Sequence, residues 1–240
     1  MNTHSSVNDI VSELKSLATA DHFEKLAHFG IKDDKALGVK IPLLRQLAKR
    51  IGKNHALALE LWATDIHEAR LLAGMIDDPK LVTEQQFDNW VHDFNSWDIC
   101  DQCCGLLSQT PFALQRIQHY SADKEEFVKR TAFVLICTMV IMEKKAADDF
   151  FIPFFDLIER ETWDERNFVW KAVNWALRQI GKRNENLRVK AIECGERILL
   201  QNTKSARWIA NDALKELRSE KTIKYVNRKK RLIDVSDFFN

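Results

Sequence analysis

The stretch Phe127-Val-Lys-Arg-Thr-Ala-Phe-Val134 returns 41 residues later as Phe168-Val-Trp-Lys-Ala-Val-Asn-Trp175. A weaker echo follows 37 residues after Asn174-Trp-Ala-Leu-Arg178, as Asn211-Asp-Ala-Leu-Lys215. Periods of this size fit two-helix HEAT-like units, in which each hairpin buries its apolar face only by stacking on its neighbours. The expected fold is therefore all-α: a curved superhelical array of HEAT-like antiparallel helix pairs, with the second helix of each pair on the concave side. Composition agrees, since 7 glycines and 4 prolines in 240 residues are too few for strands joined by tight turns.

Outward from the repeat, helix starts recur in one style. Asp65-Ile-His-Glu68, Thr83-Glu-Gln-Gln86, Asp123-Lys-Glu-Glu126 and Thr162-Trp-Asp-Glu165 each place a capping side chain three residues before Glu or Gln. The N-terminal stretch reads as helices near 6–19 and 21–30, then a loop to Gly38, with Pro42 in the first turn of the next helix. Thr131 to Met142 is the longest apolar run, below the roughly 18–20 residues needed to cross a bilayer, and reads as a buried helix. Residues 1–220 are expected to form a single HEAT-like domain. Beyond it the pattern decays into a tail over 221–240, basic from Lys221 to Arg231 and acidic-aromatic from Asp234 to Phe239.

The net charge of +1 hides an uneven distribution. Residues 165–231 hold eighteen Lys or Arg against seven acids, whereas the first 164 hold eighteen against twenty-six. A basic C-terminal third is the footprint expected for a polyanionic partner. The N-terminus has no basic-then-apolar signal pattern, and five irregularly spaced cysteines argue for a reducing cytoplasm without disulfides. Cys100, Cys103 and Cys104 have no second Cys or His pair at ligand spacing, so zinc is not expected. Gly-rich phosphate loops, Gly-x-Ser-x-Gly elbows and His-Glu-x-x-His motifs are all missing.

The candidate chemistry lies on the inner helices. Ser96 suits an N-cap, and Trp97 and Asp101, four apart, project from one face of the turns that follow. The helix dipole would keep that carboxylate ionised and ready to face a cation, although a core tryptophan beside a structural salt bridge fits the same residues. Arg130 opens the most apolar helix, where its guanidinium needs an acid, a phosphate or solvent. Trp175 shares a helical face with Lys171, Asn174 and Arg178, which suits stacking more than a dry core. Gly181-Lys182-Arg183-Asn184 would end that helix with Lys182 and Arg183 pointing outward, toward backbone phosphates.

The motifs Gly38-Val-x-x-Pro-x-x-Arg45, Ser96-Trp-Asp-x-x-Asp101, Phe127-Val-x-Arg130 and Phe168-Val-x-Lys-Ala-Val-x-Trp175-x-Leu-Arg178 occur in this order. Over roughly residues 25 to 218 the chain resembles the bacterial DNA alkylation repair glycosylases of the AlkD type, built from HEAT-like repeats. Ser96 stands where some members carry a second tryptophan, and Phe29 where some carry a tyrosine. The resemblance implies that Trp97 and Trp175 pack against the deoxyribose of a lesion, that Asp101 is the essential carboxylate, and that Arg130 helps hold the backbone. It also implies hydrolysis of the N-glycosidic bond of cationic N3- or N7-alkylated purines in duplex DNA without base flipping, leaving an abasic site. Such a base is already a good leaving group, so only a cationic sugar needs stabilising and a water positioning. Lys171, Arg178, Lys182 and Arg183 are the expected phosphate contacts. A monofunctional enzyme acting as a monomer, with no cofactor or metal, is expected. The alternatives are a non-enzymatic HEAT-like module for distorted DNA and a HEAT-type protein-interaction scaffold.

Overall fold

The computed structural model describes residues 6–31 and 34–237, with side chains through residue 228. Among the described residues there are fourteen α-helices and no strand. They are α1 (Val7–Leu17), α2 (Ala20–His28), α3 (Ile41–Ile51), α4 (His55–Ala63), α5 (His67–Ile76), α6 (Glu84–His92), α7 (Trp97–Leu107) and α8 (Ala113–Ser121), then α9 (Glu126–Met142), α10 (Pro153–Arg160), α11 (Asn167–Gly181), α12 (Glu185–Leu199), α13 (Lys204–Leu217) and α14 (Glu220–Asp237). No described helix is long and apolar enough to cross a membrane.

The chain divides into two compact units, one ending at Leu114 and the other starting at Gln115. In the first, α3, α5 and α7 pack in succession and α4 lies against α5. In the second, α9, α11 and α13 pack in succession, with α10 and α12 beside them and α14 closing the end. This alternation of inner and outer helices is the HEAT-like plan that the repeated phrase implied. Phe127 and Phe168, which open the two copies, touch with ring centroids 5.5 Å apart. The apolar run falls inside α9, whose residues Val128 through Cys137 are all buried. Gly181 lets α11 end tightly against its neighbours: a Cβ there would lie 2.6 Å from Leu217 Cδ2 and 2.8 Å from Ala191 Cβ.

Helix starts match the capping expectation only in part. Thr83 caps α6 by accepting the Gln86 N–H at 3.1 Å. The other three phrases do something else. The N-cap of α5 is Ile66, and Asp65 pairs with Lys35 and Arg70. The cap of α9 is Glu125, while Glu126 reaches across to accept the Phe168 N–H at 3.1 Å. Thr162 lies well before α11, capped at Arg166, and donates to Gln201 Oε1 at 2.7 Å. The capping work is done instead by Ser6, Thr19, Asn54, Asn184 and Thr203, each accepting a first-turn N–H. The basic segment expected to decay into a tail is helical in α14, held by buried Thr222 and Val226. The acidic-aromatic end, Asp234 to Phe239, lies outside the residues whose side chains are described.

Candidate functional site

In the first unit the Ser96-Trp-Asp-x-x-Asp101 phrase opens α7. Ser96 is the N-cap in an extended conformation, but its hydroxyl makes no capping bond. Trp97 is half-buried; its ring packs on Leu26, Ile31 and Ala36 and its Nε1 donates to the Phe29 carbonyl at 2.8 Å. That bond fixes the indole, because the rotamer is set at both its apolar face and its polar tip. Asp101 follows one turn later, also partly exposed.

Asp98, between them, turns inward. Its Oδ2 lies 2.9 Å from His67 Nε2 on α5, and its Oδ1 accepts the Ile99 N–H at 3.0 Å. Burial pushes its carboxyl up, but the His67 contact and these hydrogen bonds outweigh that and hold it below the usual carboxylate range. Next to His67, buried Glu68 accepts the N–H groups of Leu37, Gly38 and Val39 at 2.8, 2.7 and 3.1 Å. Sequence reasoning missed both anchors. The signal was the adjacent His67-Glu68 pair at a helix start, one repeat before α7.

In the second unit Arg130 is 6 % exposed, and its Nη1 donates to the Phe168 carbonyl at 2.6 Å, joining α9 to the first turn of α11. Its neighbour Lys129 is also buried: its Nζ meets Glu161 Oε2 at 2.7 Å and Asp164 Oδ2 at 3.2 Å, and it sits 4.7 Å from the centre of the exposed Trp163 ring.

Along α11, Lys171 is exposed and Trp175, Arg178 and Lys182 are partly so, at spacings of four, three and four that keep them in one row. Asn174 leaves that row. It is buried and donates to the Ile209 carbonyl at 3.0 Å, tying α11 to α13. Arg178 and Lys182 share one carboxylate, Glu216, at 2.6 and 2.7 Å. Burial raises the Glu216 carboxyl, but the two cations more than reverse this and hold it low.

Arg183 does not point outward. It donates to the carbonyls of Val140, Glu143, Lys144 and Ala146 at 2.7–3.1 Å and lies 4.4 Å from the Phe151 ring centre. The carbonyls of the last turn of α9 and of the turn that follows explain that choice, because the helix itself leaves its final carbonyls without a full set of donors. An additional aromatic platform, unforeseen from sequence, is the stacked pair Trp170 and Trp208, 5.8 Å apart at 18°, with Trp208 exposed. The two tryptophans stand 38 residues apart, close to the repeat offset, and that was the available signal.

All five cysteines are free and buried, and burial pushes the Cys103 and Cys104 thiols well up, so they stay neutral. Among the described residues no group of three or more His, Cys, Asp or Glu is placed to hold a metal ion.

Comparison with known proteins supplies context for this geometry. The family profile described as DNA alkylation repair enzyme matches residues 10–217. A solved structure described as a new family of proteins related to the HEAT-like repeat DNA glycosylases, with affinity for branched DNA structures, superposes with a TM-score of 0.72. At 21 % identity it covers 80 % of this chain and 83 % of its own, and the likeness is one of fold. No curated protein matches the chain.

Proposed function

Because the chain belongs to the DNA alkylation repair enzyme family, we propose that it is a monofunctional, monomeric DNA glycosylase for cationic N3- or N7-alkylated purines in duplex DNA. The observation that carries this reading is the pairing on α7 of an indole locked through the Phe29 carbonyl with a carboxylate one turn away. Asp101 stabilises positive charge at C1′ as the bond to the purine nitrogen lengthens, and positions the water whose oxygen bonds to C1′ as its surplus proton passes to solvent. The departing base takes both bonding electrons and thereby loses its positive charge, so no general acid is needed. Trp97, in the first unit, packs on deoxyribose without drawing the base out of the helix, and Trp175, in the second, packs on deoxyribose in the same way. Arg130 and Lys171 hold the backbone, and Arg178 and Lys182 exchange Glu216 for phosphate as DNA arrives.

The product is an abasic site in an unbroken strand. Lys129, the lysine nearest Arg130 in sequence, is buried between two carboxylates and unsuited to act as a Schiff-base nucleophile. A second reading, binding of branched or distorted DNA without chemistry, is favoured by the description of the similarly folded protein. Release of methylated purine from a defined duplex separates the two. On the excision reading the wild type releases base, and Trp97→Ala and Trp175→Ala slow release by about tenfold or more while changing duplex affinity far less. No release by the wild type, with tight binding to a four-way junction, would leave only the binding reading.

A further inference from the structure

Where α9, α11 and α13 end and α14 begins, the second unit holds a cavity of about 1010 Å³. That is at the upper end of the roughly 300–1,000 Å³ typical of small-molecule sites. Its lining is partly apolar and aromatic. Ile141 and Tyr225 line it while 56 % and 48 % exposed, so two large side chains face solvent where a flat ligand would cover them. Lys144, Lys182 and Lys221 add positive charge to the same lining, Lys221 one turn before Tyr225 on α14. Lys144 and Lys221 make no ion pair among the described residues, and the one carboxylate in the lining, Glu216, is already taken by Arg178 and Lys182. Arg183 is occupied by the end of α9 and acts as floor. Gln179 adds a carboxamide with no hydrogen-bond partner among the described residues, able both to donate and to accept.

A flat apolar face, unpaired ammonium groups and an unsatisfied amide are the three needs of a nucleotide: stacking, phosphate charge and a base edge. The cavity also continues the row Lys171, Trp175, Arg178 and Lys182, because Lys182 belongs to both. We propose that this cavity binds one nucleotide unit, its base against Ile141 and Tyr225, its base edge on Gln179, and its phosphate on Lys144 and Lys221. The inference rests on the DNA-binding part of the reading above and not on its chemistry.

The test is fluorescence anisotropy of the full chain with a labelled pentathymidylate, and with a pentamer of abasic nucleotides that keeps the phosphates and lacks the bases. Pentathymidylate should bind, and Lys144→Glu with Lys221→Glu should weaken it by about tenfold or more. Tyr225→Ala should weaken it several-fold and leave the weaker abasic pentamer unaffected. All three positions are exposed, and thermal melts matching the wild type verify that the variants fold. Competition by thymidine monophosphate identifies a free nucleotide as the occupant, and competition by oligonucleotides alone identifies a DNA strand.

The proposal is overturned if pentathymidylate does not bind, if the variants bind it as the wild type does, or if the abasic pentamer binds equally well. Purine release by the same variants from methylated duplex at saturating enzyme, where weaker binding is masked, should stay at the wild-type rate. Excision can therefore fail while nucleotide binding stands, and the reverse.

Discussion

At Gly38 the backbone turns with φ +84°, and a Cβ there would lie 2.5 Å from the Thr19 carbonyl oxygen. Glu68 then gathers the N–H groups on either side, so one glycine and one buried carboxylate set the path of the chain into α3. Gly38→Ala should lose about 1–3 kcal/mol from the backbone conformation alone, with more from the clash, seen as a lower urea midpoint. An unchanged midpoint would mean that the loop relaxes freely. Asp98 offers a test by pH. Its folded pKa lies below its unfolded value of about 3.9, so its stabilisation is complete above that value and is lost as pH falls through the folded pKa. The stability gap between wild type and Asp98→Asn should therefore close below about pH 4. A gap that persists into acid would show that the carboxylate charge is not what α7 gains from His67.

At the scale of the element, the repeated phrase was legible because stacked inner helices need the same apolar face each time. Phe127 and Phe168 meet as that repetition requires. The starts of α5, α9 and α11 were misread for a physical reason. The Glu that completes a capping phrase is, in a repeat array, also well placed to reach a neighbouring segment, back to the turn before α3 for Glu68 and forward to α11 for Glu126. The basic segment of α14 was read as a decaying tail because it buries only a narrow stripe, Thr222 and Val226, and the rest of the segment is strongly polar. Lys129, one position before Arg130 and turned about 100° from it on the helix, is held in ion pairs with Glu161 and Asp164, a partnership the sequence did not single out. Lys129→Met removes the cation shared by Glu161 and Asp164, which keep Arg160 and Arg166 as partners, so thermal or urea unfolding should show a loss of about 1–3 kcal/mol. A loss below about 1 kcal/mol would mean that water already solvates those acids.

At the scale of the molecule, the fold was legible and the candidate site only in its outline. Residue types and spacing picked out Trp97 and Asp101 on one helix and Lys171, Trp175, Arg178 and Lys182 on another. Their partners lay beyond reach of the sequence. That Trp97 is fastened to a carbonyl, that two of the cations share Glu216 and that Arg183 closes a helix end all depend on neighbours 34 to 68 residues away. The eighteen bases against seven acids in residues 165–231 suit a nucleic acid partner, but charge alone does not distinguish a binder from an enzyme. The effect of neutralising Asp101 does, because a carboxylate beside a polyanion weakens binding and helps excision only where positive charge develops next to it. The direct measurement is chromatography of purines released from methylated duplex by wild-type and Asp101→Asn protein. The account predicts release by the wild type and a loss of about 100-fold or more in Asp101→Asn, with duplex affinity equal or tighter. Release by Asp101→Asn at the wild-type rate would contradict it.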